Sequence, residues 1–388
     1  MKVLHLDFTG TFNEEMSYQE NLMIKYNVKD GHEVIMLTTC FRLDNRGAAV
    51  YTPPIDKTMN NGARLVRMKY HRIINNRITN TIRKIDGIHK FLDQSSPDII
   101  FIHGTQTIEI LTIVKYLRKN PRVHVFVDSH TDYVNSVHNW LSKYILHPII
   151  WRYCTKKIEP YVIRFYGVTP GRCSFLNEMY KISNDKIELL VLGADDENIR
   201  INDKSQIKRK IRESLQISDN DFVVITGGKI DQRKNIHLLM KAVNEIANKN
   251  LKLIVFGSSD MQMKLVIDAL SNSEAIRNIG WIDSSDVYDY FLASDLAVFP
   301  GTHSVLWEQS VGTGIPGVFK YWEGMDHIDI GGNCRFLYAD KITEIKSVLE
   351  EIINDQDAYK KMKKVAEEEG ISKFSYREIS RRAIQINA

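Results

Sequence analysis

The sequence predicts an α/β protein of two Rossmann-like domains, each a parallel sheet covered by helices, and three observations carry that prediction. The chain has 388 residues, long for a single hydrophobic core. Apolar runs of strand length alternate with helix-length segments in both halves. Between the two sets, residues 199–221 are polar and basic and interrupt the alternation.

In the first half KVLHLDF reads as a strand, residues 17–29 as a helix stopped by Gly31, and HEVIMLTT as a second strand. RLVRMKY follows as a strand and residues 77–94 as one basic helix. PDIIFIHG, VHVFVDSH, RFYGVT and KIELLVLG are further strands. Between them IEILTIVKYLRKN is a helix, and WLSKYILHPIIWRYCTKKIEPY one or two. The polar stretch reads as a linker and a surface helix. Beyond it FVVITGG, LKLIVFG, IRNIGWI and LAVFPG are strands separated by helices such as IHLLMKAVNEIANKN. Fully apolar strands of this kind belong to sheets buried on both faces.

Composition narrows the function. Hydrophobic residues make up 43% and charged residues 26%, an ordinary globular balance. Cys40, Cys154, Cys173 and Cys334 are widely spaced, which argues against a disulfide scaffold or zinc finger. The opening MKVLHLDFTG is a strand and not a secretory signal, and no apolar run reaches membrane-spanning length. A net charge of +4 does not imply nucleic acid. The charge is uneven, however: residues 64–90 hold eight Lys or Arg against one acid, and residues 143–164 form a second basic stretch.

In open parallel sheets, ligands bind beyond the C-terminal ends of the strands. Four loops there are unusual. Residues 8–21 carry Gly10, whose loop can present amides to an anion, with Glu14 and Glu15 suited to sugar hydroxyls; a plain loop capped by Ser17 and Glu20 is the competing reading. Residues 125–136 run from an apolar strand into Asp128, Ser129, His130 and Asp132, a hydrogen-bonding group or a structurally satisfied histidine. Residues 226–235 place Gly227 and Gly228 after a strand, followed by Lys229, Arg233 and Lys234, cations able to neutralise a diphosphate. Residues 298–319 combine Thr302, His303 and Ser304 with helix amides at Ser304, Val305 and Leu306. Glu308 lies one turn on, able to take two hydroxyl protons from a ribose.

Taken together, MSYQENLMIKYNVKDGHEVIMLTT, PDIIFIHG, DSHTDY, GGKIDQRKNIHLLMKA and FPGTHSVLWEQSVGTGIPGVF resemble the retaining nucleotide-sugar glycosyltransferases of family 4, over almost the whole chain. The resemblance implies a GT-B fold, two Rossmann-like domains facing across a cleft. Residues 1–198 would form the acceptor-side domain, with a C-terminal helix at about 374–388 packing back on it, and residues 199–373 the donor-binding domain. It implies His130, Lys229 and Lys234 as catalytic residues. Gly10, Gly228, Arg233, Thr302, His303, Ser304, Val305, Leu306 and Glu308 would bind the donor, and Glu14, Asp128 and Asp132 the acceptor. Lys229 stands where the family has arginine, and Pro300 where it has a first glutamate eight residues before Glu308.

The activity implied is transfer of a hexosyl group from a nucleoside-diphosphate sugar, a UDP-sugar foremost, to a glycan or lipid-linked acceptor in surface polysaccharide synthesis. No metal and no separate cofactor are expected, because no D-x-D motif follows a clear strand at the expected cleft and no His or Cys ligands cluster in the sequence. A cytoplasmic location is expected, with peripheral contact to an anionic membrane at its inner face and no nucleic-acid partner; the oligomeric state stays open. A two-domain UDP-sugar 2-epimerase and a noncatalytic nucleotide-sugar-binding protein are the competing readings. Epimer interconversion, or binding without UDP release, would distinguish them.

Overall fold

The computed structural model describes residues 1–14, 16–44, 48–137 and 139–386, without the side chains of Arg77 and Val134; Glu15 lies outside the described residues. Two compact units make up the chain. The first is Met1–Val191 joined by the C-terminal segment from Ile379, and the second is Leu192–Glu378. The sequence reading put the junction at 198/199.

The first unit is built on an eight-stranded sheet. Its strands run in the order Ile187–Leu189, Val162–Gly167, His124–Ser129, Ile99–His103, Lys2–Asp7, Glu33–Thr39, Arg64–Met68 and Ile55–Thr58. Neighbours pair in parallel except the last, which runs antiparallel to Arg64–Met68. Side chains alternate between two buried faces. Leu4, Leu6, Ile100, Ile102, Val125 and Val127 enter one core, while Val34, Met36 and Leu65 pack with Phe12 and Ile24 in another. The first helix is Gln19–Lys29, with Tyr18 and not Ser17 at the cap position.

The basic helix expected at 77–94 is two helices, Asn76–Ile82 and Ile88–Ser95. The carboxylate of Glu109 accepts the Ile85 amide at 2.7 Å, and Tyr70 bridges to Ile85, so this backbone is held by partners outside any helix. Arg83 and Gly87, with φ of 55° and 81°, make the break in the left-handed region. Ile85 and Ile88 are buried, not arrayed on a surface face. Farther on, Ser142–Trp151 is a wide-turned helix that contains Pro148 and continues into Arg152–Ile158. The Arg152 amide reaches back five residues to the His147 carbonyl, the spacing of a π-type turn.

The second unit has a six-stranded parallel sheet ordered Ile276–Gly280, Leu251–Ser259, Phe222–Ile230, Leu296–Phe299, Gly317–Lys320 and Cys334–Leu337. The supposed surface helix, Lys204–Ser214, is anchored: Arg212 is 1% exposed, bonds the Ala293 and Asp221 carbonyls and pairs with Asp295 at 2.7 Å. In the first unit, Arg381 of the helix Tyr376–Ala383 pairs with Asp30 at 2.9 Å. Among the described residues no helix is long and apolar enough to cross a membrane.

Candidate functional site

In the second unit, residues expected in separate loops are brought together. The strand Phe222–Ile230 extends through the glycine pair, so Gly227, Gly228 and Lys229 lie within it, in register with Phe256, Gly257 and Ser258. A Cβ on Gly257 would stand 1.9 Å from the Gly228 oxygen, and Gly228 itself has φ +104°, so the paired glycines serve close strand approach. Past the strand, Asp231 caps the short turn Gln232–Lys234 by accepting the Arg233 amide at 3.0 Å. The Arg233 guanidinium also pairs with Asp231, at 2.7 Å. That exposed cation, expected on the donor, is thereby partnered by a neighbouring carboxylate, while Lys229 is exposed at the strand's end.

Lys234 turns the other way. Its Nζ donates to the carbonyls of Thr302 and His303 at 2.8 and 3.0 Å. A Cβ on Gly301 would stand 2.3 Å from the Arg233 oxygen, so the glycine lets the two loops close on each other. The Asn235 amide bonds the Pro300 carbonyl at 3.2 Å, which gives the residue in place of the family's first glutamate a backbone role. Burial lowers the Lys234 pKa, opposed by the charge of Asp231. Two ammonium protons are committed to carbonyls, and the third has no partner among the described residues.

Glu308 stands in the first turn of the helix Leu306–Gly312, and its side chain is wholly buried. Oε1 accepts from Nε2 of both His303 and His327, each at 2.8 Å, while Oε2 is buried without a partner. Burial alone would raise this carboxyl. The charge and N–H of His303, then those of His327, outweigh it and hold the pKa at about 2. The expected two-oxygen grip on a ribose diol is therefore corrected: one oxygen is already occupied. One of the amides expected to cradle phosphate is already engaged, since Ser304 Oγ accepts from Leu306 N at 3.4 Å.

His327, which sequence reasoning missed, completes a His2Glu cluster whose donor atoms lie within 4.8 Å of one another and could hold a metal ion. The premise that no histidine cluster exists is thus wrong for the folded chain. The tautomers nevertheless favour hydrogen bonding. Nε2 of each ring lies 2.8 Å from Glu308 Oε1, where it can donate its N–H to the carboxylate. An N–H donates to a carboxylate and cannot ligate a metal through that nitrogen.

In the first unit the loop after Lys2–Asp7 is closed on itself. Asp7 accepts from the amides of Thr9 and Gly10 at 3.0 and 2.9 Å, so the anion-binding amides expected at Gly10 already hold a carboxylate. Glu14 pairs with Lys57 at 2.8 Å. Asp132 pairs with Arg172 at 3.2 Å and accepts the Asn135 amide at 2.7 Å. Asp128 is 0% exposed and accepts from His103 at 2.8 Å, so the fold buries a residue expected to meet the acceptor. His130, by contrast, is 43% exposed, with Nε2 3.7 Å from Asp128 Oδ2.

Residues 207–369, within the second unit, match the family described as glycosyl transferases group 1. An uncharacterized glycosyltransferase of Methanocaldococcus jannaschii is 21% identical over 223 residues, covering 55% of this chain and 56% of its own length. A lipopolysaccharide core biosynthesis glycosyltransferase, LpsD, of Rhizobium meliloti is 29% identical over 116 residues, 29% of this chain and 33% of its own. The matches thus span about half and a third of those relatives. Among solved structures, Anabaena HepE in complex with UDP-glucose aligns over 99% of this chain and 98% of its own, with a TM-score of 0.65 at 14% identity. The fold is accordingly the α/β architecture of GT-B glycosyltransferases, with two Rossmann-like domains.

Proposed function

We propose that this chain is a retaining glycosyltransferase that moves a hexosyl group from a nucleoside-diphosphate sugar, a UDP-sugar foremost, to a glycan or lipid-linked acceptor of surface polysaccharide. The observation that carries the reading is Lys234, a half-buried ammonium held on the Thr302 and His303 carbonyls at the C-terminal end of the second unit's sheet. It can stabilise charge developing on a departing diphosphate, with Lys229 adding to the field. Glu308 would meet a ribose hydroxyl through Oε2 once that buried atom is uncovered. His130, partly exposed in the first unit, is the candidate to hydrogen-bond a sugar hydroxyl, and the leaving phosphate takes the acceptor proton. The UDP-glucose bound by HepE supports the donor class, and the lipopolysaccharide role in the name of LpsD supports a surface glycan. The test is release of UDP dependent on added acceptor, with the anomeric configuration of the product read by NMR. Release without acceptor dependence, or an inverted product, contradicts the reading.

Transfer is expected to survive EDTA, because the His303–Glu308–His327 cluster is satisfied by its own hydrogen bonds. Activity abolished by EDTA and restored only by magnesium, manganese or zinc would assign that cluster to a metal instead.

The acceptor is reached at an anionic membrane. The basic stretch 64–90 is less free than its composition implied. Arg64 pairs with Asp56, Arg67 is buried on the Thr39, Phe41 and Phe12 carbonyls, and Arg83 bonds the Gln106 carbonyl. The surface lies instead on the wide-turned helix and its flanks. Trp140, Tyr144, Ile149 and Tyr153 are exposed, spaced four, five and four residues apart, a stripe that the π-type turn keeps on one side. Lys143 and Lys157 lie over the Tyr144 and Tyr153 rings, cations beside apolar bodies as an interface requires. Each basic group near such a surface contributes about 1 kcal/mol. Co-sedimentation is expected with anionic but not neutral liposomes. It should weaken when Lys143 and Lys157 are neutralised together, and disappear when Trp140, Tyr144 and Ile149 become serine. Failure to bind anionic liposomes at low salt removes the membrane claim and leaves the transferase claim standing.

A further inference from the structure

The first unit's sheet carries a buried chain of polar side chains of which the proposed reaction uses only the outer end. His5, His103 and Asp128 occupy three adjacent strands, and the register sets His103 beside Asp128. Asn27 Oδ1 lies 3.0 Å from His5 Nε2, His5 Nδ1 lies 3.1 Å from His103 Nε2, and His103 Nδ1 lies 2.8 Å from Asp128 Oδ2. His5, Asn27 and Asp128 are 0% exposed and His103 is 6% exposed. His130, 3.7 Å from Asp128 Oδ2, is where this chain meets the surface. Burying two imidazoles, an amide and a carboxylate is costly unless every contact is satisfied.

With Asn27 turning Oδ1 toward His5, the number of protons fixes the charge. Three hydrogen bonds run between two oxygen acceptors, Asn27 Oδ1 and Asp128 Oδ2, and each needs one proton. Two neutral imidazoles bring only two. The third makes one of them an imidazolium, and the ring against Asp128 is the one stabilised. We propose that His103 is a positioning residue, protonated throughout the working pH range, whose charge cancels that of Asp128 so that His130 faces a neutral pair and not a bare carboxylate. The consequence for catalysis rests on the transferase reading of His130; the charge of His103 does not.

The surrounding groups agree. Burial would lower His103, but Asp128 first, then Glu20 and Asp7, reverse it and raise the pKa to about 9. Burial, then the charge of His103, lowers His5 to about 3. Burial, then Asp7, raises Glu20. Asp132, two residues beyond His130, is engaged by Arg172.

The experiment is a two-bond proton–nitrogen NMR titration of the full chain labelled with ¹⁵N-histidine. At pH 7.5 His103 is expected to carry protons on both ring nitrogens and His5 on Nε2 alone. His103→Gln keeps a donor toward Asp128 without the charge. The ring-nitrogen shifts of His130 at a fixed pH are then expected to move toward those of the protonated ring, as beside an uncompensated carboxylate. The acid limb of the turnover profile moves up with them, and adding Asp128→Asn returns both. A neutral His103 at pH 7.5, as an Asn27 amide turned the other way would give, overturns the proposal. So does an unshifted His130 in folded His103→Gln. If that variant does not fold, Asp128→Asn alone is expected to strip the extra proton from His103, and a His103 that stays charged there is equally fatal. Failure of the transferase reading would look different: normal histidine spectra with no UDP release.

Discussion

Lys234→Ala is expected to weaken donor binding and to slow the chemical step at the same time. The ammonium donates to the Thr302 and His303 carbonyls, so it both carries the charge and ties the loop that presents Glu308. Losing one charge-assisted contact in a partly desolvated site costs about 2–5 kcal/mol, roughly thirty-fold or more in the binding constant. Because negative charge grows on the diphosphate as the glycosidic bond breaks, kcat should fall along with donor affinity. Calorimetric binding of UDP and steady-state kinetics separate the two. Lys234→Gln can keep one carbonyl bond, so it should preserve the unfolding midpoint better than alanine while still losing diphosphate affinity. Arg233→Ala provides the contrast: its side chain pairs with Asp231, and a much smaller loss is expected. Unchanged UDP affinity in both Lys234 variants would remove this residue from the donor site.

The two-domain α/β plan was legible because its strands are buried on both faces and therefore read as unbroken apolar runs, as in Ile99–His103 and Leu296–Phe299. The strand Ile55–Thr58 is exposed at every position and gave no such signal. The false helix at 77–94 arose from isoleucines at helical spacing. What breaks it is a carboxylate from Glu109, more than twenty positions away, on the Ile85 amide. In the site, the residue types clustered near the ends of strands were readable, but their commitments were not. Asp7 fills the Gly10 loop, Asp128 is sealed beneath His103, and Arg233 is paired with Asp231. Each is a contact set by side-chain direction, which spacing does not encode. Lys229 gave a usable hint that was overlooked: the apolar Ile230 beyond it marks a strand that continues through the glycine pair.

Glu308→Ala is expected to damage the second unit's stability as well as its binding. The substitution empties a wholly buried position and leaves the Nε2–H groups of His303 and His327 facing each other without an acceptor. An orphaned buried donor costs about 1–3 kcal/mol, so the pair together with the cavity should cost roughly 3–5 kcal/mol. At about 2–4 °C per kcal/mol for a unit of this size, the melting temperature should drop by some 6 °C or more. Glu308→Gln keeps an oxygen for both imidazoles and nearly the same volume, so most of the stability should remain while the carboxylate's affinity for a ribose hydroxyl is lost. Their pH dependence checks the cause. The folded-state pKa of Glu308 is depressed to about 2 from an ordinary 4.5, so its contribution is fully present above the ordinary value and disappears as pH falls through the folded one. The stability gap between the wild-type chain and Glu308→Gln should therefore be constant at neutral pH and close progressively below pH 4.5. Urea denaturation across that window measures it. A Glu308→Ala chain with the wild-type midpoint would mean that the two imidazoles do not depend on this carboxylate, and the site would lose its anchor.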